Sequence, residues 1–171
     1  MSHVHRYRCR VRWSGSTGVG YAHYGRDHVV EVLTADGVVV TPTVNGLGLL
    51  MSGDAAFGGN GALLNPEQQL VVAAASCQLL SFLAVAARAR VDVVDYVDEA
   101  VGEMRDADGW ISAIRLAPVV TVRGEVTDER LRHWTEVGHR ECYIANSVRT
   151  DIRITPTFRR LAASPTGRRA P

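Results

Sequence analysis

The 171-residue chain contains no lysine, and all 19 of its basic residues are arginine. That absence excludes chemistry through a lysine Schiff base and any phosphate-binding loop that depends on a lysine. Cysteine is scarce as well. Cys9, Cys77 and Cys142 are too few, and odd in number, for a secreted disulfide scaffold, yet enough for one redox pair and a bystander. Net charge is close to nil, +1 from 19 bases against 18 acids, which argues against a dedicated nucleic-acid binder. The sequence has no phosphate loop, no dinucleotide glycine fingerprint after a strand and no Gly-x-Ser-x-Gly elbow. The longest apolar stretch, Leu70 to Ala87, is rich in alanine and broken by Ser76, Gln78 and Ser81. A membrane span needs about 20 strongly apolar residues, so this stretch predicts a buried helix and no membrane association. Met1 to Trp13 is polar and does not read as a secretory signal, so the expected compartment is the cytoplasm, where thiols stay reduced.

What is present suits one globular domain, with 46% hydrophobic and 22% charged residues. A chain of this length can bury a core without disulfide or metal staples. Arg6 to Trp13 alternates, placing Tyr7, Cys9, Val11 and Trp13 on one face and four arginines on the other, the pattern of a half-buried strand. Ser14 to Gly20 reads as a loop. His28 to Leu33 predicts a second strand, Ala35-Asp36-Gly37 a turn, and Val38 to Val44 a third strand weakened by Pro42. Asn45 to Leu64 reads as a long loop, a kind of segment that is often functional. Asn65-Pro66-Glu67 then opens a helix, with a good N-cap, a proline at the first position and an acid in the first turn. It is predicted to run to Arg88 or Arg90 and, being apolar nearly all round, to be buried on several sides.

Val91 to Met104 and Trp110 to Arg123 predict a long hairpin about the turn at Arg105 to Gly109. Thr127 caps a second helix, which either continues or breaks near Gly138 and restarts through Cys142 to Ser147. Asp151 to Thr155 is the last predicted strand. The expectation is an α+β fold with a single domain over residues 1–158, and a disordered tail over residues 159–171.

Taken singly, each cysteine is more simply a small buried hydrophobe than a nucleophile. Metal ligation has little support. His139 and Cys142 are a close pair but do not make a zinc site, and the five-residue spacing of His23 and His28 fits neither a strand face nor a helix face.

Two motifs together alter the reading of the cysteines. The first is Asn65-Pro66-Glu67 with Cys77 ten residues beyond Glu67; the second is Glu141-Cys142-Tyr143-Ile144-Ala145-Asn146-Ser147-Val148. In this separation and element order, over roughly Tyr7 to Phe158, the chain resembles the OsmC/Ohr family, the osmotically inducible protein C and organic hydroperoxide resistance proteins. The resemblance implies an OsmC-like fold, with antiparallel sheets packed around long buried central helices. It also implies an intertwined homodimer with its sites at the subunit interface.

Members are mostly thiol-dependent peroxidases. The resemblance therefore implies Cys77 as the peroxidatic thiolate, Cys142 as the resolving thiol and Cys9 as the bystander. Glu67 matches the glutamate that holds an activating arginine. Arg26, in Tyr24-Gly25-Arg26-Asp27-His28, is the arginine assigned to that role. The loop before Asn65, Ala56-Phe57-Gly58-Gly59-Asn60, where other members place it, holds none. Substrates would be alkyl or lipid hydroperoxides, with hydrogen peroxide also in scope, admitted along an apolar funnel of Phe57, Leu79, Phe82 and Tyr143. His139 and Gln78 are secondary candidates, to tune Cys142 and to donate a hydrogen bond at Cys77. The reductant would be a dithiol or lipoyl-type group, and no metal, flavin or nucleic acid is implied.

Ten residues of helix separate Glu67 from Cys77 by about 15 Å, too far for one arginine to bridge, so the Arg–Glu pair is expected to serve the cysteine of the other subunit. Two alternatives stand beside this reading. One is a thiol protein of the same fold that senses oxidants or binds a ligand without efficient turnover, which the arginine-free loop favours. The other is a non-catalytic dimer in which the cysteines are core residues.

Overall fold

The protein was analysed as a computed structural model, which describes residues 3–34, 37, 39–40 and 49–162. In chain order the elements are β1 (Val4–Ser14), β2 (Val29–Leu33), β3 (Val39–Val40), α1 (Pro66–Arg88), β4 (Asp92–Arg105), β5 (Ile111–Leu116), β6 (Val119–Arg123), α2 (Asp128–Glu141), α3 (Tyr143–Ser147), β7 (Asp151–Ile154) and β8 (Thr157–Leu161). Short 3-10 turns at Thr17–Val19 and Ala55–Phe57 interrupt the two predicted loops. Residues 38 and 41–44 of the predicted third strand, residues 35–36 of its turn and residues 163–171 of the expected tail lie outside the described residues.

The alternation in β1 sets the architecture. Its apolar face, Tyr7, Cys9, Val11 and Trp13, is buried, while Arg6, Arg10 and Arg12 pair on the outer face with Glu31, Glu99 and Glu103. β4 pairs antiparallel with β1 over their full shared length, from Val4↔Arg105 to Ser14↔Asp95. Among the described residues the strands form one eight-stranded sheet in the order β3-β2-β1-β4-β5-β7, with β6 joined to β4 and β8 to β6. The fold is α+β as expected. The sheet, however, is not wholly antiparallel, because β5 pairs β7 and β6 pairs β8 in parallel.

The predicted return strand is in fact two strands. Pro118 offers no N–H to a ladder, and the Ala117 N–H donates instead to Asp98 Oδ1 at 2.7 Å. β4 is long enough to pair with both pieces, its first half with β6 and its second with β5. The last strand also differs from expectation. β8 continues through Arg159 and Arg160 to Leu161, in register with Thr121–Arg123, and the Arg160 guanidinium donates to the Val126 carbonyl at 2.7 and 2.9 Å.

α1 begins as its sequence dictates. Asn65 Oδ1 accepts from the Gln68 N–H at 2.8 Å and Gln68 Oε1 accepts from the Asn65 N–H at 3.0 Å, a reciprocal capping box. Asn65→Ala should therefore lower stability by about 1 kcal/mol in a denaturant titration; an unchanged midpoint would show that the box contributes nothing.

The helix is long and apolar enough to cross a membrane by length and composition. Its place in the core accounts for that composition: Val71, Ala75, Leu79, Leu83 and Ala86 are buried in one cluster with Tyr7, Cys9, Val11, Tyr96 and Ala100. Burial is not complete all round. Leu70, Val72, Ala73, Cys77, Leu80 and Ala84 stay half-exposed in the single chain. α2, capped by Thr127 Oγ1 accepting from the Arg130 N–H, runs through Gly138 without a break. The interruption falls at Cys142, which closes α2 and opens α3.

Candidate functional site

The fold brings two of the predicted residues into contact. Cys77 lies mid-way along α1 on its half-exposed side, and Cys142 sits at the α2–α3 elbow with 1% of its surface exposed. The Cys142 thiol lies near enough to Cys77 for the two side chains to interact electrostatically. Burial, and then the neighbouring Cys77, push the Cys142 thiol up to about 11, so near neutral pH it keeps its proton. The elbow fixes it on the main chain: its N–H donates to the His139 carbonyl at 3.1 Å and its sulfur accepts the Ala145 N–H at 3.5 Å. Exposure thus separates the two sulfurs. In the single chain Cys77 is half-exposed and Cys142 is closed off. Both are free thiols.

Cys9 lies apart from them on β1, 1% exposed, with its thiol pushed up to about 12 by burial and then by the charges of Asp98 and Glu99. A thiol with so little thiolate is inert.

Within one chain the other predicted groups do not gather at Cys77. Glu67 stands in the first turn of α1, and its Oε2 is buried without a hydrogen-bond partner, as is the Tyr7 hydroxyl. Burial, and then the charges of Glu67 and Asp54, hold the Tyr7 phenol well above its ordinary range. Arg26 is held elsewhere. Its guanidinium donates to the Tyr24 and Tyr21 carbonyls at 3.2 and 2.9 Å and lies over both rings, 4.2 Å from the centre of Tyr24. The Tyr21 ring also faces Arg88, which pairs with Glu141 beside Cys142. Arg26 is therefore at the C-terminal end of α1, and about 30 Å of helix separates Glu67 from Arg88.

The apolar funnel does not form in the single chain either. Phe82 is 1% exposed and packs on Tyr96 in the core, and Leu79 is buried beside it. Phe57 lies in the open against His5, and Tyr143 is 83% exposed. Gln78 is turned away from solvent, its Nε2 donating to the Thr135 carbonyl at 3.5 Å. His139 holds Cys142 through its carbonyl, and burial lowers the pKa of its ring. A cavity of about 650 Å³ lies beside α2, lined by Arg132, Glu136, His139, Arg140 and Ile154, and neither thiol opens into it. Among the described residues no cluster of three or more histidine, cysteine or acidic side chains is placed to hold a metal.

Sequence reasoning missed Asp98. It is fully buried, Oδ1 accepts from Ala117, and Oδ2 has no partner. The signal was there: Asp98 stands in phase with Tyr96 and Ala100 on the inward face of β4.

A family profile described as OsmC-like protein matches residues 58–157. Among solved structures, an OsmC-like protein of unknown function from Vibrio cholerae is 25% identical, covers 91% of this chain and 99% of its own, and superposes with a TM-score of 0.56. An OsmC-like protein from Mycoplasma pneumoniae, 13% identical over 75% of this chain and 94% of its own, shares the fold with a TM-score of 0.54. Comparison with curated proteins gives no significant match.

Proposed function

Because this chain belongs to the OsmC-like protein family, we propose that it is a cytoplasmic thiol-dependent peroxidase that reduces organic hydroperoxides through Cys77 and Cys142. The contact between a half-exposed Cys77 and a buried, protonated Cys142 supports this reading most directly. The Cys77 thiolate attacks the terminal oxygen of ROOH, the O–O bond breaks, and the alkoxide takes a proton to leave as ROH. Cys77 becomes a sulfenic acid. The Cys142 thiol then forms the S–S bond, and its proton leaves with the hydroxyl as water. A dithiol or lipoyl-type donor reduces the disulfide by exchange and returns two protons with two electrons.

The active form in this proposal is a homodimer. α1 keeps a half-exposed apolar stripe that includes Cys77, Glu67 carries an orphaned carboxylate oxygen, and Arg26 sits at the far end of the same helix. A second α1 lying against the stripe would cover it and bring Glu67 of the partner subunit toward Cys77. Arg26 would then leave its tyrosines to complete the pair. Equimolar mixing of Cys77→Ser and Glu67→Ala subunits, each inactive alone, should restore about a quarter of the activity if subunits reassort freely in a two-fold dimer. No recovery after verified exchange would rule out shared sites.

A second reading is favoured by the same clamp on Arg26: a thiol protein that is oxidised once and turns over poorly, as a sensor would. Thiol titration after one equivalent of an alkyl hydroperoxide separates the two. Rapid loss of Cys77 and Cys142 together, with repeated turnover on supplying a dithiol, is the peroxidase outcome. Loss without turnover is the sensor outcome, and unreactive thiols would dispose of both.

A further inference from the structure

We propose that Gly138 is a positioning residue for disulfide formation, setting the distance at which α2 delivers Cys142 to Cys77. The inference rests on the pairing of these two thiols put forward above.

Gly138 lies inside α2 with no unusual backbone angle, where glycine costs about 1 kcal/mol relative to alanine. The reason for a glycine there is proximity. A Cβ at this position would stand 3.1 Å from both Phe82 Cα and Phe82 N, and 3.3 Å from the Ser81 carbonyl carbon. All three are main-chain atoms of α1, so no rotamer change relieves the contact and the helices themselves must part. The crossing is also next to the chemistry. Gly138 precedes Cys142 by four residues and Cys77 precedes Ser81 by four, so one helical turn on each side separates the close approach from the thiol pair. The sulfurs must close to about 2.05 Å for the bond to form. A Cβ at Gly138 makes the helices give by a few tenths of an ångström and leaves the sulfurs that much farther to close.

The step needs no peroxide to be measured. With an oxidised cyclic dithiol, protein dithiol plus dithiol disulfide gives protein disulfide plus free dithiol, and the equilibrium constant reports how well the thiols meet. Gly138→Ala should lower that constant about 3-fold and Gly138→Val, which needs a wider parting, about 10-fold or more, since a misplacement of about 1 Å costs about 100-fold. With an alkyl hydroperoxide, the same variants should oxidise Cys77 at a rate within about twofold of the parent while a larger share goes on to sulfinic acid. Thr135→Ala removes buried atoms on the same face of α2 without a wedge, and should leave the exchange constant within about twofold of the parent.

An unchanged constant in Gly138→Ala, or an equal fall in Thr135→Ala, would overturn the proposal. Failure of Cys77 to react with hydroperoxide would instead overturn the peroxidase reading and leave the exchange measurement standing. Should the Gly138 variants not fold, hydrogen exchange on the parent decides. Amides around Phe82 and Gly138 should be equally protected in the reduced and disulfide forms, and a tenfold loss of protection on oxidation would show that the crossing does not hold the thiols.

Discussion

Cys77→Ser is expected to abolish hydroperoxide consumption, by about 10³-fold or more, because a serine hydroxyl is not ionised near neutral pH and has no equivalent of the sulfenic state. Cys142→Ser should behave differently. Its Cys77 still meets the peroxide and reacts once, but without the buried thiol no disulfide forms. The variant should consume about one equivalent and then a second as Cys77 passes to sulfinic acid, with turnover gone. Cys9→Ala should consume peroxide at the parental rate, because its thiol is closed off in the core and pushed up to about 12. Peroxide consumption followed with intact mass distinguishes the three, since the products differ by one oxygen, two oxygens or the two hydrogens lost in a disulfide. A Cys142→Ser protein that turned over with a dithiol would remove Cys142 from the cycle. A Cys77→Ser protein that retained activity would remove the proposed function altogether.

The second large effect concerns stability. Burial pushes the Asp98 carboxyl up to about 7, with the Ala117 N–H pulling it down and the Glu99 charge adding to the rise. Its folded-state value exceeds the ordinary 3.8, so the folded chain holds the proton more tightly than the unfolded one. The stabilisation is complete below about pH 4 and is lost as pH climbs through about 7. A rise of about three units corresponds to about 4 kcal/mol across that window. Asp98→Asn keeps the acceptor for Ala117 and removes the titration. The stability difference between variant and parent should swing in favour of the variant by up to about 4 kcal/mol between pH 4 and pH 8. Denaturant titrations of both proteins at the two pH values, under reductant, give this directly. A difference that is flat with pH would mean that Asp98 is already ionised in the folded chain at low pH.

Local signals carried most of the fold. The arginine alternation located β1, and Asn65-Pro66 located the start of α1 to the residue, because strand period and helix capping are short-range physics. What the sequence did not disclose depended on partners far along the chain. The split of the return strand at Pro118 requires Asp98 to receive the Ala117 amide. The strand at Thr157–Leu161 exists because β6 offers it an edge, although Arg159 and Arg160 look like tail. At the site, the two motifs identified which cysteines meet, while the clamp on Arg26 by Tyr21 and Tyr24 and the burial of Phe82 follow from packing that no spacing encodes.

On the ribosome β1 emerges first and waits longest. Its residue Val4 pairs with Arg105, so the longest ladder of the sheet cannot close until the chain has grown past that point. At about 5–20 residues per second, synthesis leaves this strand without its β4 partner for about 5–20 s. An apolar strand edge open for that time invites pairing with neighbouring chains. The arginines at alternate positions, Arg6, Arg8, Arg10 and Arg12, oppose such pairing through charge repulsion before they have any acidic partner on β4. The same row, three of whose members are ion-paired in the finished sheet, would earlier disfavour pairing between nascent chains.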